Sequence, residues 1–217
     1  MNNKREKENM KNIAVLVSGG GTNLQAMIDA AARGEIRNGR FCGVIASKDG
    51  VYALERAKNA GIPTRVLPRS EYPDVASYTA AVIAALEELG ADLVVYAGFM
   101  TILDEQIMRE FGGRMMNVHP SLIPSFCGVG MYGLHVHEAA LARGVKLTGA
   151  TVHFVNEICD GGPIILQKAV EVKEGDTPET LQRRVMEEAE WHILPRAVDL
   201  FCRDKLKIED GKVIILP

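Results

Sequence analysis

Ile13-Ala14-Val15-Leu16-Val17-Ser18-Gly19-Gly20-Gly21-Thr22-Asn23-Leu24 decides how this chain folds. Five consecutive apolar residues are too few for a buried helix and are what a strand covered on both faces of a parallel sheet requires. Glycines end that strand, and residues 24–32 then carry helical spacing. A strand, a glycine turn and a helix in succession open a doubly wound α/β unit. Glycine lets backbone amides close on an anion, and the helix N-terminus adds the positive end of its dipole. No Gly-Lys-Ser/Thr closes the loop, so it is not a Walker A loop. Leu24 stands where a dinucleotide fingerprint has its third glycine. One phosphomonoester is the ligand that suits such a loop; a tight turn that merely needs glycine is the plainer alternative.

The alternation continues outward from this unit. Residues 41–46, 64–67, 93–97 and 115–118 read as strands, and 51–60 and 74–89 as helices closed by Gly61 and Gly90. Asp104 is placed to cap a short helix reaching Phe111. The pattern predicts an α/β fold with a doubly wound, mostly parallel sheet. Beyond residue 120 the character changes. A mobile loop is expected near 124–133, then a short helix over 137–143 and strands over 148–155 and 164–172. Thr177 or Asp176 caps a long helix to about Phe201, with Pro178 in its first turn. Residues 206–215 form a terminal hairpin about Asp210-Gly211. The second half thus adds a C-terminal antiparallel portion and a long helix. Residues 1–12 read as a flexible tail and 13–217 as a single domain.

The stretch Met115-Met116-Asn117-Val118-His119-Pro120 carries the chemistry. Strand side chains alternate, so Asn117 and His119 share a face. An amide can donate to a developing oxyanion, and an imidazole moves protons near neutral pH. Pro120 ends the strand, leaving both groups at the strand end where open α/β sheets bind ligands. Asp160, in Cys159-Asp160-Gly161-Gly162, reads locally as a turn aspartate; facing His119, it would stabilise the imidazolium. His135 and His137 have metal-pair spacing, but no third ligand is evident, so no metal site is expected. His153 alternates with apolar residues and reads as a core or supporting group, His192 as structural, and Glu190 as a solvated helix face.

Composition narrows the classes. Hydrophobic residues are 47% and charged residues 24%, an ordinary globular balance. A net charge of -3 gives no electrostatic case for nucleic acid as a partner. Cys42, Cys127, Cys159 and Cys202 form no Cys-x-x-Cys motif, so reduced thiols in a cytoplasmic protein are expected. The charged N-terminal segment is not a signal peptide, and no apolar run is long enough for a membrane helix.

Taken together, AVLVSGGGTNLQAMIDA, DLVVYAGFMTIL, MNVHPSLIPSF, TGATVHFV and DGGPIILQ resemble the phosphoribosylglycinamide formyltransferases, the folate-dependent transformylases of purine synthesis. The resemblance covers nearly the whole chain and implies formyl transfer from 10-formyltetrahydrofolate, a co-substrate, to the amine of glycinamide ribonucleotide. It implies Asn117, His119 and Asp160 as catalytic residues. Gly21, Thr22 and Asn23 match the phosphate loop, and Pro120 and Glu190 match further contacts to that substrate. Met100, Thr101, Ile102 and Leu103, with Asn117, match the folate contacts. Thr151 and His153 match a supporting shell. Small-molecule partners and a monomer or homodimer are expected. The chain departs from the family's usual pattern at a longer loop over 125–133, at Thr101 where arginine is frequent, and at one extra residue before Trp191. The 74–78 segment also lacks an arginine that some members place there. Formyltetrahydrofolate hydrolases and methionyl-tRNA formyltransferases share the Asn-His-Asp set, the first expected to carry an added N-terminal domain and the second a C-terminal RNA-binding domain. A nucleotide-binding module without catalysis is the alternative from another class.

Overall fold

A computed structural model describes residues 10–217. β1 (Lys11–Val17) leads through α1 (Thr22–Ala32) to β2 (Gly39–Ala46), and α2 (Tyr52–Asn59) leads to β3 (Thr64–Val66). The alternation continues with α3 (Val75–Glu88), β4 (Leu93–Tyr96), α4 (Gln106–Phe111) and β5 (Met115–His119). Two further strands, β6 (Leu147–Phe154) and β7 (Ile164–Glu171), complete one sheet among the described residues, in the order β3-β2-β1-β4-β5-β6-β7. Neighbours from β3 to β5 are parallel, whereas β6 pairs antiparallel with both β5 and β7. The expected doubly wound sheet with an antiparallel C-terminal portion is therefore present. The chain winds outward from β1 to β3, then returns to the other side of β1 with β4. This reversal is a topological switch point, and it opens a crevice at the carboxyl ends of β1 and β4.

Alternation within β1 builds the two cores. Ile13, Val15 and Val17 pack with Leu24 and Met27 of α1, while Ala14 and Leu16 pack with Tyr78, Val82 and Leu86 of α3. All five β1 residues from Ile13 to Val17 are fully buried. Each large side chain among them contributes roughly 1.5–3 kcal/mol by leaving water. This central anchoring holds the Ser18–Asn23 segment over the crevice.

Several boundaries differ from the sequence reading: β2 starts at Gly39 rather than at residue 41, and Glu105, not Asp104, occupies the cap position of α4. Of the expected tail, residues 1–9 lie outside the described residues, but Lys11 and Asn12 already belong to β1, paired with Gly39 and Arg40. α5 (Leu134–Arg143) begins three residues before His137. The long helix is interrupted: α6 (Pro178–Val185) passes through a π-helical turn, Met186–Glu190, into α7 (Trp191–Cys202). A π turn holds one residue more than an α turn. Thr177 caps α6 through a reciprocal pair of bonds with Thr180. The hairpin forms as expected, β8 (Leu206–Glu209) and β9 (Lys212–Ile215), with Asp210 and Gly211 both at positive φ. Among the described residues no helix is long and apolar enough to cross a membrane.

Candidate active site

β5 delivers Asn117 and His119 to the crevice, and its antiparallel partner β6 sets His153 opposite Asn117 and Thr151 opposite His119. Directly opposed residues share a face, so four polar side chains meet at one strand end. Thr151 braces the segment beyond Pro120. Its hydroxyl donates to the Ser121 carbonyl at 2.7 Å and accepts from the Ile123 amide at 3.1 Å and from Gln167 Nε2 at 3.0 Å. The turn is thereby fixed, and with it the end of the strand that aims His119.

The β6–β7 connection brings in Asp160, with φ of 55°. Gly162 makes this turn possible, because a Cβ there would lie 1.7 Å from the Phe154 carbonyl oxygen. Asp160 Oδ2 stands 3.4 Å from His119 Nδ1 and accepts from the Gly128 amide at 2.9 Å. Its Oδ1 lies 3.4 Å from Asn117 Nδ2 and 3.7 Å from His153 Nε2. Burial alone would push this carboxyl up. The His153 ring, the Gly128 amide and the His119 charge together outweigh burial and hold it below the ordinary carboxylate range. Asp160 is accordingly an anion at neutral pH.

His119 is buried between two acceptors, Asp160 at Nδ1 and the Phe126 carbonyl at Nε2, the latter at 2.8 Å. Neither neighbour can donate, so the ring is best served with a proton on both nitrogens. His153 donates from Nδ1 to the Phe154 carbonyl at 2.8 Å, and its Nε2 lies 3.2 Å from Asn117 Nδ2. The amide of Asn117 donates to Asp160 Oδ1 at 3.4 Å, so its donor side faces the cluster. An amide donor beside a protonated imidazole can stabilise negative charge on a carbonyl oxygen, and the imidazole can also give up a proton.

The glycine loop lies two strands away. β4 alone separates β1 from β5, and strand spacing puts their ends about 10 Å apart. Gly21 adopts φ of 72° at the start of α1, and a Cβ there would meet Ala53 Cβ at 2.6 Å, so only glycine fits. Ser18 joins the ends of β1, β2 and β4. Its hydroxyl lies 2.6 Å from Ser47 Oγ and accepts from the Met100 amide at 2.9 Å. That bond sets the position of the 100–103 segment, where Met100 is 50% and Ile102 79% exposed while Leu103 packs into the core. Two exposed apolar side chains beside the crevice suit a flat apolar ring system. Thr22 Oγ1 faces Met186 Sδ of the π turn at 3.7 Å.

Glu190 overturns its local reading as a solvated helix residue. It is buried, and Asn23 Nδ2 donates to its Oε2 at 2.6 Å. It closes the π turn and faces α1. The structure thus gathers the expected residues into two linked groups, Asn117, His119 and Asp160 in one and Gly21, Thr22, Asn23 and Glu190 in the other, while Pro120 is half-buried directly behind His119. His137 is buried with neither ring nitrogen partnered, and burial together with the nearby His119 charge pushes it down to about 4. His135 and His137 belong to no group of three or more metal-ligating side chains among the described residues. Two contributors were missed by sequence reasoning, the Phe126 carbonyl and the Gly128 amide. Backbone groups carry no residue signature, although Gly128, at φ of 92°, marked a turn inside the loop.

Comparison with known proteins places this geometry. The formyl transferase family matches residues 11–198. The bovine trifunctional purine biosynthetic protein adenosine-3 is 45% identical over 202 residues, which are 93% of this chain but only 19% of that protein's length. The phosphoribosylglycinamide formyltransferase of Haemophilus influenzae is 40% identical over 93% of this chain and 92% of its own. Among solved structures, glycinamide ribonucleotide transformylase 1 from Symbiobacterium toebii superposes with a TM-score of 0.90 at 44% identity, covering 96% of this chain and 95% of that one.

Proposed function

The chain belongs to the formyl transferase family, and from that premise we propose that it transfers the formyl group of 10-formyltetrahydrofolate to the amine of glycinamide ribonucleotide in purine biosynthesis. The observation that carries this reading is the Asn117–His119–Asp160 cluster standing two strands from a glycine loop able to hold a phosphate. A relative of almost equal length bears the same activity in its name.

In this proposal the phosphate of the ribonucleotide sits on Gly21, Thr22 and Asn23, and Glu190 and Pro120 contact the same substrate. The folate lies along Met100, Thr101, Ile102 and Leu103. The substrate amine attacks the formyl carbon and forms a tetrahedral intermediate. Asn117 Nδ2 and His119 Nε2 donate to the developing oxyanion as a preorganised pair. The formyl oxygen then replaces the Phe126 carbonyl as the acceptor of the His119 Nε2 proton, so the 125–133 loop must yield its bond before transfer. His119 next gives its Nε2 proton to the folate nitrogen as the bond between that nitrogen and the formyl carbon breaks, and takes up the proton released by the attacking amine. Asp160 holds the ring in place and balances its charge. No step calls for a metal ion.

Replacing Asn117 with Ala tests the assignment. It should lower kcat by about 10²-fold or more while KM for the ribonucleotide changes little, the mark of a group that acts in the transition state. Near-normal kcat in a folded variant would remove Asn117 from the mechanism.

A further inference from the structure

The Glu190–Asn23 contact is chemically incomplete. Glu190 is buried with one neutral amide as its hydrogen-bond donor, and Asn23 Oδ1 is buried with no donor at all. A desolvated carboxylate with so little compensation is poorly stabilised as an anion. Burial pushes Glu190 up to about 7, against a smaller downward pull from Asn23. Charged groups on the surrounding elements do not intervene. On α6, Arg183 pairs with Glu187 and Arg184 with Asp176. Among the described residues no ion pair joins Glu190 to Asp29 of α1, His153 of β6, Lys168 of β7 or His192 of α7.

We propose that Glu190 takes up a proton as the phosphorylated acceptor binds, so that Glu190 and Asn23 act as a proton-linked pair beside the anion site. The inference rests on the reading of the glycine loop as the acceptor's phosphate site. Asn23 opens α1 next to that loop, so an arriving phosphate adds negative charge close to a buried carboxylate that no cation balances. Two anions in a poorly solvated region raise each other's proton affinity. One proton comes from solvent, one O–H bond forms on Glu190, and no electrons move. The neutral acid also repairs the orphaned oxygen. With the Asn23 amide turned over, the new O–H donates to Oδ1, and Nδ2 becomes free to donate to the ligand. The 2.6 Å separation is short for an N–H donor and ordinary for an O–H donor.

Calorimetric titration with glycinamide ribonucleotide at about pH 8, in two buffers of different ionisation enthalpy, counts the protons taken up. Subtracting the count for Glu190→Gln removes the ligand's own ionisation. The wild type should exceed the variant by about half a proton or more per ribonucleotide bound. Equal counts in the two proteins, with binding intact, overturn the proton link and leave the acceptor site standing. Absence of ribonucleotide binding in the wild type overturns the acceptor reading, and this inference with it. Should the variant fail to fold or to bind the ribonucleotide, infrared difference spectra of the wild type decide: ribonucleotide must add a protonated-carboxyl band, and its absence refutes the proposal.

Discussion

Asp160 illustrates how much of a site a sequence writes down. Cys159-Asp160-Gly161-Gly162 announces a turn, and the turn is there. The carboxylate's direction is not announced, because it depends on β6 and β7 folding back to set residue 160 beside residue 119. His119 and Asn117 were legible, since strand alternation and Pro120 place both at one strand end. Glu190 was not, because its helical surroundings are rich in exposed glutamates and its burial comes from packing against Asn23, distant in sequence. Asp160→Asn keeps the shape of the side chain and removes the charge that balances His119. Its kcat should fall by about 10²-fold to 10³-fold, as expected for a disabled proton relay, with the thermal midpoint near that of the wild type. A kcat within a few-fold of the wild type in steady-state assays would show that the carboxylate does not serve His119.

Elements were easier to read than residues, for a physical reason. Burial on both faces imposes apolar runs on β1, β4 and β5, and glycine after α2 and α3 marks where those helices stop. Boundaries were harder, as with β1, which starts at Lys11 because backbone pairing with β2 continues past the last apolar side chain. The π-helical turn Met186–Glu190 was invisible as geometry. Glu188 is exposed within this turn. Deleting it should restore α-helical winding without moving either flank, since the π turn contains one residue more than the α turn it replaces. The deletion variant should therefore keep its KM for ribonucleotide and lose no thermal stability. A large rise in KM would mean that the π turn itself, and not merely the position of Glu190, shapes the acceptor site.

At the scale of the whole molecule, the sheet order creates the site. The reversal of winding at β1 opens the crevice, and β4 supplies the single strand of spacing between the glycine loop and the Asn117–His119–Asp160 cluster. Alternating strands and helices made the architecture legible, whereas the antiparallel addition of β6 and β7 to the β5 edge was visible only as a change of pattern. Burial of Glu190 also leaves a mark on the stability of the entire fold. Its folded value is raised to about 7, so the folded state binds more protons than the unfolded chain between roughly pH 4 and 7. Stability therefore falls as pH rises through that window, by about 3 kcal/mol in all. Glu190→Gln should be more stable than the wild type at about pH 8, and this advantage should vanish near pH 4. Denaturant midpoints at the two pH values measure the difference, and an advantage independent of pH would show that Glu190 is not the group that titrates. The central claim concerns formyl transfer itself, and one measurement reaches it directly. Purified protein is mixed with 10-formyltetrahydrofolate, and the absorbance of the deformylated folate is followed with and without glycinamide ribonucleotide. Release that depends on the ribonucleotide, with formylated ribonucleotide formed in equal amount, is the expected result. Release at the same rate without the acceptor would make the protein a hydrolase, and no release in either case would contradict the catalytic reading altogether.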